Sequence, residues 1–167
     1  EAGIYTVLCL TDPEKGIRGA SCLLVEKDTP GVSFGRIEDK FGIRASVTRE
    51  VLFNECRVPA KNLLGAEGGG LSIVLHALDF ARPVIAAQAV GIAQGAGDLA
   101  LEYACSRRQF GVPVASFQGL RFLLADTFIR LEAARALTYA AARYLDACPG
   151  ERGTLASDSA KCFASDM

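Results

Sequence analysis

The sequence holds a single histidine, His76, among 167 residues. It has no cysteine or carboxylate at metal-ligand spacing and no Gly-x-Ser-x-Gly segment to serve, which excludes a zinc site and a serine-type triad. A helix surface or a packing position is the expected place for it. Runs of like charge are also missing: no five occur together, and 18 basic against 19 acidic side chains leave a net charge of −1. That balance gives no electrostatic footprint for nucleic acid or an anionic membrane, so neither is expected as a partner. The longest nearly apolar stretch, residues 83–97, is interrupted by Gln88 and Gln94 and is shorter than the roughly 20 apolar residues of a membrane span. A soluble protein is expected. No leader-type succession of basic, apolar and cleavage segments opens the chain, and no internal repeat or low-complexity linker follows.

Cysteine, by contrast, is present six times, at Cys9, Cys22, Cys56, Cys105, Cys148 and Cys162. Their wide spacing and mostly apolar neighbours fit small core residues in a reducing compartment better than a disulfide scaffold. Half of the chain is hydrophobic, enough for a sizeable core.

Residues 1–62 read as strands. IYTVLCL and ASCLLVE flank a turn rich in Asp, Pro and Gly, which predicts a hairpin-like pair. Asp28-Thr29-Pro30-Gly31 makes another turn before VSFGRI, and EVLFNECRV, residues 50–58, alternates imperfectly with Val51, Phe53 and Cys56 on the expected buried side. The spacings fit an antiparallel sheet or barrel. Past Pro59 the period becomes helical: from Leu71 to about Arg108, with a kink or a new start at Pro83. The Ala- and Gly-rich stretch after Pro83 has little polar surface and is expected deep in a bundle or at a subunit interface. A second helix, residues 117–147, is expected with Ser116 as its N-cap, an apolar stripe through Leu120, Leu124, Phe128 and Leu131, an Asp126–Arg130 pair on another face, and a stop at Pro149-Gly150. A third should begin near Thr154 or Ser157 and run to the end of the sequence. The chain starts on Glu1 within an expected strand and stops on Met167 within an expected helix, so it reads as an excerpt of a longer one.

Three places could carry chemistry. Gly65-Ala66-Glu67-Gly68-Gly69-Gly70 stands between strand and helix, either as a phosphate loop or as a plain turn between domains; no Gly-Lys-Ser/Thr or Gly-x-Gly-x-x-Gly accompanies it. Arg107, Arg108 and Gln109 close a helix, where cations offset the dipole without further role. With Phe110-Gly111 after them and Phe117-Gln118 at the next helix, they also supply an arginine fork, amides and an aromatic plane for a dinucleotide. Asp79 and Arg82 are three apart, which fits a solvated ion pair, a cap on the helix that follows, or a ligand contact.

The order of these motifs resembles the acyl-CoA dehydrogenases. The similarity runs through Thr11-Asp12-Pro13, VEKDTPG, KFGIR, Thr48-Arg49, Val58-Pro59, Asn62-Leu63-Leu64-Gly65, Arg82, Ala86-Ala87, Gly91, RRQFG, Phe117-Gln118 and Ala125-Asp126. It implies an α+β fold in which residues 1–62 are the later part of a middle β-barrel domain and residues 63–167 the first helices of a C-terminal four-helix, up-and-down bundle. It implies a cytoplasmic tetramer or dimer with FAD between domains and across a subunit interface. Arg107, Arg108, Gln109, Phe110, Phe117 and Gln118 match the FAD-contacting stretch, in which the FAD is typically the neighbouring subunit's, and Asp79, Ala81 and Arg82 match a segment beside the acyl-CoA.

The implied reaction is α,β-dehydrogenation of an acyl-CoA thioester: a glutamate takes the α-proton, the β-hydrogen leaves as hydride to the flavin, and an electron-transferring flavoprotein collects the electrons. One departure bears on it. The isovaleryl and long-chain branch places the glutamate at the position matching Ala81, which cannot act as a base. Either the base comes from sequence beyond Met167, as in most of the family, or the protein is not a dehydrogenase. An oxidase on the same fold and a catalytically silent homologue with a role in subunit association are the competing readings.

Overall fold

The computed structural model describes residues 2–148 and 152–167. Pro149 and Gly150, the expected stop of the second helix, lie outside them. The chain divides into two compact units, Glu1–Leu75 and His76–Met167.

In the first unit, strands β1 (Ile4–Leu10) and β2 (Ala20–Glu26) pair antiparallel in the register Ile4 with Glu26 through Leu10 with Ala20, the expected hairpin. A 3-10 segment, Pro13–Gly19, joins them. Strands β3 (Val32–Ile37) and β4 (Arg49–Phe53) form a separate antiparallel pair, and the short β5 (Leu63–Leu64) adds to the other edge of β2. With a neighbour on each side, β2 is the core strand: Ala20, Ser21, Cys22 and Val25 are buried, whereas β1 alternates between half-buried and exposed. Both sheets are open, so the described residues contain no closed barrel. Phe53, expected on a buried side, is exposed, because β4 pairs with β3 alone and ends at Phe53 instead of running on to Val58.

Helix α1 (Gly70–Ser106) begins in the first unit and continues through the second. A Cβ at Gly70 would lie 2.6 Å from the Ser21 backbone carbon, so glycine lets the helix start directly on β2. Helix α1 is unbroken at Pro83, neither restarting nor ending there. By length and composition alone it could cross a membrane. Its ionic cluster at Asp79 and its packing on the other helices are those of a bundle helix.

Two short strands, β6 (Arg108–Gln109) and β7 (Val112–Pro113), follow α1 and pair with each other. Helix α2 (Gln118–Ala147) and helix α3 (Thr154–Asp166) complete the unit. Ser116 does not cap α2: residues 114–116 form a 3-10 turn closed by the Phe117 N–H to the Val114 carbonyl, which makes Phe117 the N-cap. Leu131, Ala134, Thr138, Ala141 and Leu145 are buried on α2 at helical spacing, opposite Ser157, Ala160 and Ala164 of α3 and Ala86 and Val90 of α1. Small residues at most of these positions let the helix axes approach closely. Only one side of α1 is covered, since Val84, Ile92 and Leu99 are exposed. The cysteines are free; Cys22 is buried as expected, but Cys105 and Cys162 are exposed on the outer faces of α1 and α3.

Candidate functional site

Two clusters of the expected residues lie in the second unit. The first is built around Asp79, whose side chain is buried without residue. Its Oδ1 accepts from Arg82 Nη1 at 3.0 Å and from Thr154 Oγ1 at 3.1 Å, and its Oδ2 accepts from Arg152 Nε at 3.0 Å. The hydrogen bond from Arg152 does most to hold the Asp79 carboxyl below its ordinary range, with Thr154 and the charges of both arginines adding to it against the opposing effect of burial. The pair is therefore neither a solvated ion pair nor a simple cap. Arg82 is itself bound twice, with Nε 2.9 Å from Asp158 Oδ1, and remains partly exposed. Ala81, one residue away, points to an exposed position on α1.

Pro83 adds a second link at the same place. It has no N–H, so the carbonyl of Asp79, four residues earlier, lacks its helical donor. Ser157 of α3 fills the vacancy: its Oγ donates to the Asp79 carbonyl at 2.7 Å. One residue of α1 thus takes α3 through both its carboxylate and its backbone.

The second cluster is the corner between α1 and α2. Phe110 and Gly111 connect β6 to β7 with φ of 53° and 84°, positive at both central positions as in a type I′ hairpin turn. Glycine adopts such a φ freely, but a bulky aromatic residue there is strained. Phe110 is also 92% exposed, with its ring edge-on to Phe117 at 6.3 Å between centroids. The loop is fixed from behind by the Arg107 N–H to Tyr103 and the Val114 N–H to the Arg107 carbonyl, both 2.8 Å. Arg108 Nη2 donates to the Gly111 carbonyl at 3.0 Å, while Arg107, Gln109 and Gln118 are exposed around the ring. The corner is a hydrogen-bonded turn presenting an aromatic ring in a segment that also exposes cations and amides.

The two clusters are not brought together. Asp79 and Arg107 are separated by most of α1, roughly 40 Å at 1.5 Å per helical residue. Between them, a groove of about 440 Å³ runs along α1 and α2, lined by Phe80, Val84, Gly91, Tyr139 and Asp146. In the first unit, the Gly65–Gly70 loop is docked rather than open: the Gly68 N–H donates to the buried Ser21 Oγ at 2.9 Å, and Cys22 Sγ reaches the Gly70 carbonyl. It is a packing turn. His76 is exposed, edge-on to Phe80, as expected of a helix-surface residue.

Residues 68–167 match the family model described as acyl-CoA dehydrogenase, C-terminal domain, which is more than half of the chain. The chain belongs to the acyl-CoA dehydrogenase family. It is 48% identical over 165 residues to the acryloyl-CoA reductase (NADH) of Anaerotignum propionicum, covering 99% of this chain and 41% of that one. It is also similar to solved structures: butyryl-CoA dehydrogenase from Megasphaera elsdenii, with a TM-score of 0.92, 44% identity and coverage of 99% and 43%, and a chain in a structure of the electron transferring flavoprotein of Acidaminococcus fermentans, with 0.92, 46% and the same coverages. The chain spans about two fifths of the length of these relatives.

For an acyl-CoA dehydrogenase chain, the residues that sequence reading missed are Arg152, Thr154, Ser157 and Asp158. Thr154 and Ser157 were visible as helix-start residues, but their shared partner lies 75 and 78 residues away on α1. The loss of a donor at Pro83 was the one available signal for an acceptor at Asp79.

Proposed function

We propose that this chain is part of a flavoprotein catalysing FAD-dependent α,β-dehydrogenation of an acyl-CoA thioester. The observation that carries the proposal is Phe110, an exposed aromatic residue held at positive φ beside Arg107 and Arg108. A strained, exposed aromatic side chain whose ring contact is the edge of Phe117 gains little from packing, and a planar, anionic ligand supplies a reason for it to be there. The donor set fits FAD: Arg107 and Arg108 would hold its phosphates, Phe110 and Phe117 its flat aromatic surface, and Gln109 and Gln118 its polar edges. When bound, FAD supplies the hydride acceptor.

Asp79, Ala81 and Arg82 are assigned to the acyl-CoA side. Asp79 cannot serve as the base, since its carboxylate is buried, ionised and bonded at both oxygens; Ala81 has no acid group at all. The base is therefore assigned to a glutamate outside these residues. The roughly 40 Å between the clusters supports an oligomer, because one chain's corner is too far from its own Asp79 segment to complete the same site. A dimer or tetramer meets this need. The division into residues 1–62, as part of a β-barrel closed by other strands, and residues 63–167, within a four-helix bundle, belongs to the same reading. So do an electron-transferring flavoprotein as acceptor and a cytoplasmic location.

The reverse direction is the second reading, favoured by the 48% identity to a protein named as an acryloyl-CoA reductase. The full-length protein, purified and mixed anaerobically with butyryl-CoA and acyl-CoAs of other lengths, should lose its flavin absorbance. Absence of flavin, or of bleaching with every thioester, would overturn the proposal. Oxygen-dependent peroxide release would move it to an oxidase, and crotonyl-CoA reduction without butyryl-CoA oxidation to a reductase.

A further inference from the structure

The Asp79 cluster contains more than a ligand contact requires. Two carboxylates, Asp79 and Asp158, face two guanidinium groups, Arg82 and Arg152, so the charges balance. A guanidinium carries five N–H donors. Arg82 spends Nη1 on Asp79 and Nε on Asp158, which leaves the hydrogens of Nη2 and one of Nη1 without a partner among the described residues. The natural tendency of such a pair is otherwise: an arginine beside a carboxylate settles into a two-bond fork that takes both oxygens. Here no fork forms: Oδ2 of Asp79 is held by Arg152 Nε at 3.0 Å, and Thr154 Oγ1, with its single hydroxyl hydrogen, lies 3.1 and 3.3 Å from the two oxygens.

We infer that Arg152 is a positioning residue which, by occupying the second oxygen of Asp79, keeps the free Nη2 edge of Arg82 available to an acceptor oxygen of the acyl-CoA. This deepens the proposed function and rests on it. Asp79 is then a brace and Arg82 the group that meets the ligand, with Asp158 setting the guanidinium plane from the other side. Arg152 is half exposed, so its removal leaves no hole in the core. In the Arg152→Ala protein, Arg82 turns both of its terminal nitrogens to Asp79 and is withdrawn from the ligand.

The test is a double-mutant cycle in the full-length flavin-containing enzyme, with butyryl-CoA as substrate. Arg152→Ala is expected to raise KM by roughly tenfold, the equivalent of one lost charge-assisted hydrogen bond, with kcat and flavin content retained. Arg152→Lys, which restores a cation to Oδ2, should recover most of the loss. In an Arg82→Ala background, the Arg152 substitution should have no further effect on KM. A structural brace alone would lower the unfolding midpoint of Arg152→Ala and leave KM unchanged, and that result overturns the inference while the proposed function stands. Equal, additive effects in both backgrounds overturn it as well. A wild-type enzyme that no acyl-CoA reduces removes the proposed function and this inference together.

Discussion

Asp79 shows how much a single residue can be changed by its neighbours. Its carboxyl is held below the ordinary range of an aspartate, first by the Arg152 hydrogen bond and then by Thr154 and the two guanidinium charges. Because the folded value is the lower one, the carboxylate contributes stability that is fully present above the unfolded value and is lost as pH falls through the folded one. The advantage of the wild type over Asp79→Asn in unfolding midpoint should therefore be constant near neutrality and shrink below about pH 4; a gap that persists unchanged at pH 3 would contradict the assignment. At this scale the sequence was partly readable. The Asp79–Arg82 spacing announced an ion pair, but not its burial, because the arginine and threonine that bind it come from just before α3 and from its first residue, 73 and 75 residues on. Phe110 was legible as part of a motif, whereas its positive φ follows from the two-residue hairpin between β6 and β7, which no local propensity encodes.

Among the elements, α1 departs furthest from what its residues alone would give. A proline inside a helix costs a hydrogen bond and crowds the preceding turn, which argues for a kink or a new start at Pro83. The helix runs through because the lost bond is replaced from outside by Ser157. Ser157→Ala should then cost about 1–3 kcal/mol, the range for a buried acceptor left without a donor. Pro83→Ala returns the donor within the helix, so in that background the Ser157 substitution should cost much less; circular dichroism melts of the four proteins give the coupling directly. Strands β1 and β2 and the end of α2 matched their sequence patterns residue for residue, since alternation and apolar spacing are local signals. Ser116 failed as a cap for a local reason too: the 3-10 turn over residues 114–116 moved the helix start one residue later.

For the whole molecule, the order of elements and the family were legible, because the motifs carrying the resemblance are spread along the entire chain. Closure of the strands was not, since pairing partners for the free edges of β1, β3 and β4 are not among the described residues. The separation of the two clusters along α1 has a genetic consequence. If the Phe110 corner of one subunit completes the site that contains Arg82 of another, a chain that has lost one residue is complemented by a chain that has lost the other. Full-length Arg82→Ala and Phe110→Ala proteins, each depleted of activity, should regain part of it when co-expressed, because some mixed assemblies would place an intact corner against an intact arginine. Mixing the two after assembly should restore nothing until the subunits exchange. Two defective alleles of one chain would thus behave as though they lay in separate genes.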